Sequence, residues 1–236
     1  TSDRAPAKKQ VALLKKVMPN LKKVGIMYTT NERNSEIQVQ EAEAAFKEAG
    51  IETVVKGISS TNDVQDTTKS LMSQTEALFI PADNTIVSAI TLVTDLSKEM
   101  KVPVVGGSVD VVDDGVLFTY GADFEALGRQ TAKMAIRIMN GEKVGDISAE
   151  DPETLKAVAN KEMAQLLGID ISAIEQEEQT NAQAKKTTQK SSSAKNTANP
   201  KVNSLSKTKS SDSANGLLDI VLSALSQGLL WSIMAI

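Results

Sequence analysis

The residues best suited to chemistry lie where a short apolar run ends. Ala77-Leu78-Phe79-Ile80 gives way to Pro81-Ala82-Asp83-Asn84-Thr85. Four apolar residues bounded by Pro, Asp and Asn fit a strand covered on both faces, as in a parallel sheet. Asp83 or Asn84 can cap the helix that follows, because a short side-chain oxygen accepts from its free backbone N–H groups. In open α/β sheets this carboxyl end of a strand is also where ligands sit. Two roles are therefore open for Asp83 and Asn84: a cap alone, or a cap that faces a cleft and holds a small polar ligand.

What the chain lacks narrows the chemistry. Its 236 residues include no Cys and no His. Thiol chemistry, disulfides, the common zinc sites and a histidine general base are thereby excluded. No loop sets a nucleophile beside a base, gathers a metal cluster or carries a glycine-rich phosphate cradle ending in Lys. The reading is a protein that is not an enzyme and uses no cofactor or metal. Residues 1–174 carry 19 basic and 25 acidic side chains, a net charge of -6. An acidic folded part without a basic stripe argues against nucleic acid as partner.

The elements that would position the site alternate. Val11 to Met18 has helical spacing and stops at Pro19. Lys23–Tyr28 reads as a strand, Ser35–Ala49 as a helix closed by Gly50, and Ile51–Ile58 as a second strand. Ser60–Asp63 caps a helix through Met72, the opening stretch is the third strand, and Thr85–Met100 is the next helix. Val102–Gly107 and Val116–Tyr120 supply two more strands, and Phe124–Asn140 a helix ended by Gly141. Such alternation predicts an α/β fold with a doubly wound parallel sheet.

In a parallel sheet the loops after the strands converge on one edge. Those loops are Thr29–Ser35, Ser59–Asp63, Ala82–Thr85, Gly106–Asp110 and Gly121–Asp123, rich in Asn, Ser, Thr, Asp and Gly. That chemistry suits a ligand with both an ammonium and a carboxylate. Asp83 would meet the cation, and Ser35 with helix-start N–H groups the anion. The Gly106-Gly107 pair lets backbone come close to a neighbour or a ligand.

Several stretches then resemble one family in order and spacing. They are Thr1-Ser-Asp-Arg, Gln10-Val-Ala-Leu-Leu-Lys-Lys, Pro19-Asn20, Lys23-Val-Gly-Ile-Met-Tyr28, Asn34-Ser35-Glu36, Pro81-Ala-Asp-Asn84, Tyr120-Gly121, Leu127-Gly128, Val158-Ala159-Asn160 and Leu167-Gly168-Ile169. Residues 1–172 resemble the second lobe of ABC-transporter substrate-binding proteins of the type I periplasmic-binding fold, in the branch related to tryptophan and tyrosine uptake. The resemblance implies a solute-binding component of an importer, with an amino-acid-like ligand held in an interlobe cleft. Ser35, Asp83 and Asn84 would grip its head group, with Asn34, Gly107, Ser108 and Tyr120 beside them. It also implies a first lobe ahead of Thr1, an ABC permease and its ATPase subunit as partners, and a place on the extracytoplasmic face of the cell membrane. A ligand-sensing domain of a type I-fold transcription regulator is the alternative; it is disfavoured by the lack of a basic helix-turn-helix and by the apolar tail.

Beyond the lobe, assigned to residues 1–174, composition changes. Residues 175–213 are dominated by Gln, Thr, Lys, Ser, Asn and Ala, too little apolar surface to offset chain entropy, and read as a disordered linker. Ile171–Gln179 can extend a helix a turn or two into it. Residues 214–236 read as a membrane-spanning helix: from Gly216 to Ile236 the one charge is Asp219. An interfacial helix is the other reading. This run resembles the opening of branched-chain-amino-acid-type ABC permeases, which implies a permease continuing beyond Ile236. Lysines in the linker favour a cytoplasmic side, whereas the resemblance places the lobe outside.

Overall fold

The computed structural model describes residues 1–181. In chain order they form α1 (Ala7–Val17), β1 (Lys23–Thr29), α2 (Arg33–Glu48), β2 (Glu52–Ile58), α3 (Val64–Met72), β3 (Ala77–Ile80), α4 (Asn84–Ser88), α5 (Ile90–Met100), β4 (Val104–Gly106), β5 (Phe118–Ala122), α6 (Phe124–Met139), β6 (Leu155–Ala159) and α7 (Lys161–Leu167). A last helix covers 172–181.

The six strands lie in the order β2-β1-β3-β4-β5-β6. Five are parallel, and β6 runs antiparallel to β5, pairing Phe118 with Ala159 and Ala122 with Leu155. The sheet is thus mostly parallel, with an antiparallel edge strand at 155–159 that hydropathy alone does not reveal. Its residues are mostly half-buried, and only Ala157 faces the core fully. After β1 the chain moves outward to β2, then returns to the other side of β1 as β3. The carboxyl ends of β1 and β3 therefore flank the topological switch point, the crevice where open α/β sheets take ligands.

Both faces of the sheet are covered, which is why its central strands are apolar throughout. On one side Val24, Ile26, Phe79, Val105 and Phe118 pack with α1, α2 and the last helix. On the other, Met27, Leu78, Ile80 and Val104 pack with α3, α4 and α5. Phe46 of α2 meets Phe79 edge-on, with ring centroids 5.7 Å apart. Burying each such ring stabilises the fold by about 1.5–3 kcal/mol.

Local signals account for most boundaries. The α2 helix ends because Gly50 takes φ 74°. Its N–H donates to Lys47 O and that of Ile51 to Phe46 O, the two bonds of a Schellman stop. Ser60 and Asp63 form a capping box on a 3-10 turn over Thr61–Asp63 that leads into α3. The helix expected over 85–100 is broken at Ala89, where φ -115° and ψ 18° separate α4 from α5. Nothing in the residue types around Ala89 marks that break.

The last helix extends the folded part past the boundary expected at residue 174. Ile174 is fully buried. Glu177 pairs with Lys9 at 2.8 Å, and Glu178 accepts from Ala159 N at 3.0 Å. The rest of the expected linker and the apolar run 216–236 lie outside the described residues. Among the described residues no helix is long and apolar enough to cross a membrane.

Candidate functional site at the carboxyl edge of the sheet

The loops after β1 and β3 meet at the switch point and are laced together by side chains. Asp83 is the link. It is 1% exposed, and its carboxylate accepts three hydrogen bonds: Thr29 N to Oδ2 at 2.7 Å, Thr29 Oγ1 to Oδ1 at 2.7 Å, and Ile86 N to Oδ1 at 3.0 Å. One side chain thus caps α4 and fixes the end of β1. Both oxygens point into the protein, so the geometry assigns Asp83 to bracing the crevice.

A second carboxylate, not singled out from the sequence, completes the arrangement. Glu32, at the start of α2, does not cap its own helix. It reaches across to α4, where Oε2 accepts from Asn84 N at 3.0 Å and Asn84 Nδ2 at 3.1 Å, and Oε1 from Thr85 N at 3.0 Å and Thr85 Oγ1 at 2.9 Å. Partial burial alone would push the Glu32 carboxyl up, but these four donors together outweigh it and hold the group below the usual glutamate value. The sequence signal was an acidic residue in the Thr29–Ser35 loop, but its partners lie more than fifty residues away.

Helix-start N–H groups were the expected anchor for an anion. At α4 they are already taken: Asn84 and Thr85 donate to Glu32, and Ile86 to Asp83. The first turn of α2, with Arg33, Asn34 and Ser35, carries no side-chain cap and is the helix start left at this edge. Arg33 pairs with Glu36 at 2.6 Å.

Four of the sequence-selected residues come together here. Asn34 is exposed and donates from Nδ2 to Ala82 O at 2.9 Å. Ser35 is buried behind it, its hydroxyl 3.5 Å from the same carbonyl, a long contact beside the Asn34 bond. Gln38, also missed, accepts from Ala82 N at 3.0 Å. Asn84 is also exposed, in the loop that Asn34 bonds.

Gly107 and Ser108 belong to the next loop. The N–H of Gly107 donates to Ile80 O at 2.7 Å, and Thr119 Oγ1 donates to Gly107 O at 3.1 Å. The close approach expected of the glycine pair is to a neighbouring strand: a Cβ on Gly106 would lie 2.4 Å from Ile80 O. Ser108 is half-buried, and its side chain makes no cap bond to the 3-10 turn it opens.

Tyr120 stands apart from this group. It packs with the core on the α1 side, with Lys9 Nζ 5.7 Å from its ring centre, while its carbonyl accepts from Gln10 Nε2 at 2.9 Å. Burial pushes its phenol up, Lys9 pulling the other way. Two shallow, open concavities lie elsewhere, beside Glu43, Lys47 and Glu52 and beside Lys8, Val11 and Lys15. Neither borders the loops. The carboxyl edge carries polar side chains, Asn34 and Asn84 exposed and Glu32 and Ser108 half-buried. Among the described residues no three or more metal-binding side chains converge.

An α/β lobe with a polar crevice at its switch point defines a ligand-binding module, and the comparisons with known proteins specify which. Residues 1–187 match the family model for ABC transporter substrate binding proteins, and the chain belongs to that family. It is similar to a tyrosine-binding protein of Clostridioides difficile, with 34% identity over 167 residues, covering 71% of this chain and 48% of that protein. The crystal structure of an ABC domain in complex with L-Trp from Streptococcus pneumoniae superposes with a TM-score of 0.71 at 34% identity, over 75% of this chain and 61% of that one. The ligand-free, open structure of a substrate-binding protein with adhesive properties from Clostridium difficile gives 0.60 at 32% identity, over 72% and 57%. The chain spans about half the length of the curated relative it matches.

Proposed function

We propose that this chain contributes one lobe of the solute-binding component of an ABC importer, and that the carboxyl edge of its sheet holds an amino-acid ligand, aromatic in preference. The observation that carries this reading is the position of the crevice. Asn34 and Asn84 present polar groups at the switch point, and Ser108 lies in the next loop, of a lobe 34% identical to a chain whose structure holds L-Trp. The relative named as a tyrosine-binding protein supports the same ligand class. Asn34 and Asn84 offer amide oxygens from the two loops, Ser108 a hydroxyl and the first turn of α2 its N–H groups to a carboxylate. Asp83 and Glu32 set a negative field that favours an ammonium, while serving chiefly to hold the banks in place. The role implies delivery to a membrane permease driven by its ATPase subunit, and a location on the extracytoplasmic face of the membrane, with residues 216–236 as attachment. The family is one of binding proteins, which is not an enzyme class.

A single lobe offers part of the contacts of a closed cleft, so millimolar affinity is expected of it, about 4 kcal/mol of binding energy. Nuclear magnetic resonance of the isotope-labelled chain, titrated with L-tryptophan, L-tyrosine and D-glucose, tests the reading. The aromatic amino acids should shift amides in residues 31–36, 82–85 and 106–109, and glucose should not. Shifts scattered over the surface, or equal for glucose, overturn it.

A further inference from the structure

The two outer strands of the sheet end differently. At β6, Asn160 N donates to Leu117 O, so the preceding N–H, that of Ala159, turns away from β5. The last helix meets it there: Glu178 accepts from Ala159 N at 3.0 Å. At β2 the ladder to β1 opens with Glu52 N donating to Lys22 O at 2.8 Å and closes with Thr30 N donating to Ile58 O at 2.9 Å. The even-numbered residues of β2 therefore face β1, and Thr53, Val55 and Gly57 turn their N–H and C=O groups outward. Among the described residues no strand or capping side chain meets that outer side. A row of unpaired donors and acceptors on a seven-residue strand is a template for another strand.

The side chains of β2 say which strand. Glu52, Val54 and Lys56 alternate with the outward residues and share the face toward α3. Val54 packs on the core of that side, Lys56 Nζ donates to Ser70 Oγ at 2.5 Å, and Glu52 pairs with Lys23 at 2.9 Å while its side chain stays 68% exposed. Lys56 keeps two further donors. A lysine on an edge strand ordinarily blunts it against pairing. Here an acid stands on the same face of the same strand, and a two-fold axis turns that pattern into a match. When a second β2 is laid antiparallel with Val54 opposite Val54, each Glu52 comes opposite a Lys56. Thr53 and Val55 then form the hydrogen-bonded pairs, using only their outward groups. Residues 52, 54 and 56 form the other pairs, in which side chains stand closest. Moving one step, to Val55 on Val55 or Thr53 on Thr53, sets Val54 against Lys56 or Glu52 and loses both ion pairs.

We propose that β2 is a self-association edge, on which a second copy of this chain pairs antiparallel about a two-fold axis through Val54, with Glu52 of each copy against Lys56 of the other. Two six-stranded sheets then continue as one. The switch point lies between β1 and β3, one strand inward, so the loops at 29–35 and 82–85 stay free in both copies. Antiparallel pairing opens the two crevices toward opposite ends of the joined sheet. The proposal is independent of which ligand the crevice holds.

Sedimentation and cysteine cross-linking of the full chain in detergent solution test it. The chain has no Cys, so a single cysteine reports the register without background. Under mild oxidation Val54→Cys should give a disulfide-linked dimer, because its Cα stands about 4.5 Å from its own copy, whereas Thr53→Cys and Val55→Cys should cross-link about tenfold less. The unmodified chain should sediment as a dimer with rising concentration. Lys56→Glu opposes like charges at both pairs and should weaken the dimer about tenfold or more. Adding Glu52→Lys to it should restore association. Thr53→Pro removes an outward N–H without touching the β1 ladder and should also leave monomers, with circular dichroism unchanged. A monomer at every concentration overturns the proposal, as does a dimer indifferent to Lys56→Glu and Thr53→Pro. Stronger cross-linking through position 53 or 55 than through 54 overturns the register. A monomer whose Thr53 and Val55 amides resist hydrogen exchange would place residues 182–236 on the edge, and a dimer lost only on deleting 216–236 would be held by the tail; either result also overturns it.

Discussion

Asp83→Asn separates the two roles that a carboxylate at this position can play. Asn caps a helix about as well as Asp, so a residue acting only as a cap would lose less than about 0.5 kcal/mol. The geometry demands more. Oδ1 accepts from Ile86 N and Thr29 Oγ1 while Oδ2 accepts from Thr29 N, all within a site 1% exposed. An amide keeps one acceptor: with its oxygen at the Oδ1 position the donor faces the Thr29 N–H, and reversed it faces both the Ile86 N–H and the Thr29 hydroxyl. Losing a hydrogen bond to a charged group costs about 1.5–3 kcal/mol, and a buried donor left facing a donor about 1–3 more. In the orientation that keeps the Ile86 cap and the Thr29 hydroxyl bond, the one group opposed is the Thr29 N–H, so the lower part of that sum applies, about 3 kcal/mol. For a lobe of this size that is a fall of roughly 6–12 °C in the thermal midpoint. Urea unfolding followed by circular dichroism reads it directly. Thr29→Val should cost about 1 kcal/mol by itself and a different amount when added to Asp83→Asn, since both act on the acceptors of one buried side chain and neighbouring changes do not add. A midpoint unchanged by Asp83→Asn would refute the bracing role and return the carboxylate to the ligand.

Glu32→Gln should make the lobe less sensitive to acid. The four donors outweigh burial and depress the folded value below 4.5, so the carboxylate contributes stability above that pH and loses it as pH falls through the folded value. Unfolding midpoints between pH 3 and pH 7 should therefore converge for wild type and variant at the acid end; parallel curves would refute this. Gly106→Ala should destabilise by at least about 2 kcal/mol, because the residue sits at φ 95° and its new methyl would stand 2.4 Å from Ile80 O. An unchanged urea midpoint would show that the β3–β4 approach relaxes freely.

Most of the lobe was legible because each central strand is buried on both faces and each surface helix on one, so period and run length carry the signal. The caps at Ser60 and Asp83 and the stop at Gly50 are local chemistry, readable within a few residues. The elements that escaped depend on distant partners. The β6 strand is an edge strand with mostly half-buried residues, and α4 parts from α5 at Ala89 with no glycine or proline to announce it. The site shows the same division. Asp83 was identifiable from the strand that ends before it, but that its charge is consumed by Thr29 depends on β1 and β3 being neighbours. Glu32 and Gln38 acquire their roles only when Ala82–Thr85 is brought alongside. Tyr120 follows the alternation of β5 to the α1 side, away from the crevice loops.

The lacing of the crevice bears on how such an edge would bind. Two loops free to move would have to be ordered by the ligand, at about 0.5–1.5 kcal/mol for each immobilised side chain. Here the order is supplied by folding. Asp83 ties β1 to α4, Glu32 ties the start of α2 to the start of α4, and Asn34 with Gln38 holds the peptide of Ala82 from both sides. Seven donors on two carboxylates make this the most heavily bonded part of the edge. On the binding role proposed, residues that never touch ligand would set affinity by fixing those that do. Asn84 is the case in point: its backbone and side-chain nitrogens both donate to Glu32, which fixes an exposed side chain whose remaining polar atom, the amide oxygen, can only accept. Asn84→Asp puts a second carboxylate against Glu32 and replaces two donors by one. It should lower stability by about 1–2 kcal/mol and weaken L-tryptophan-induced shifts at 106–109 as well as locally. Shifts lost only at residues 83–85, with the rest intact, would show that the two banks act independently and that the lacing serves stability alone.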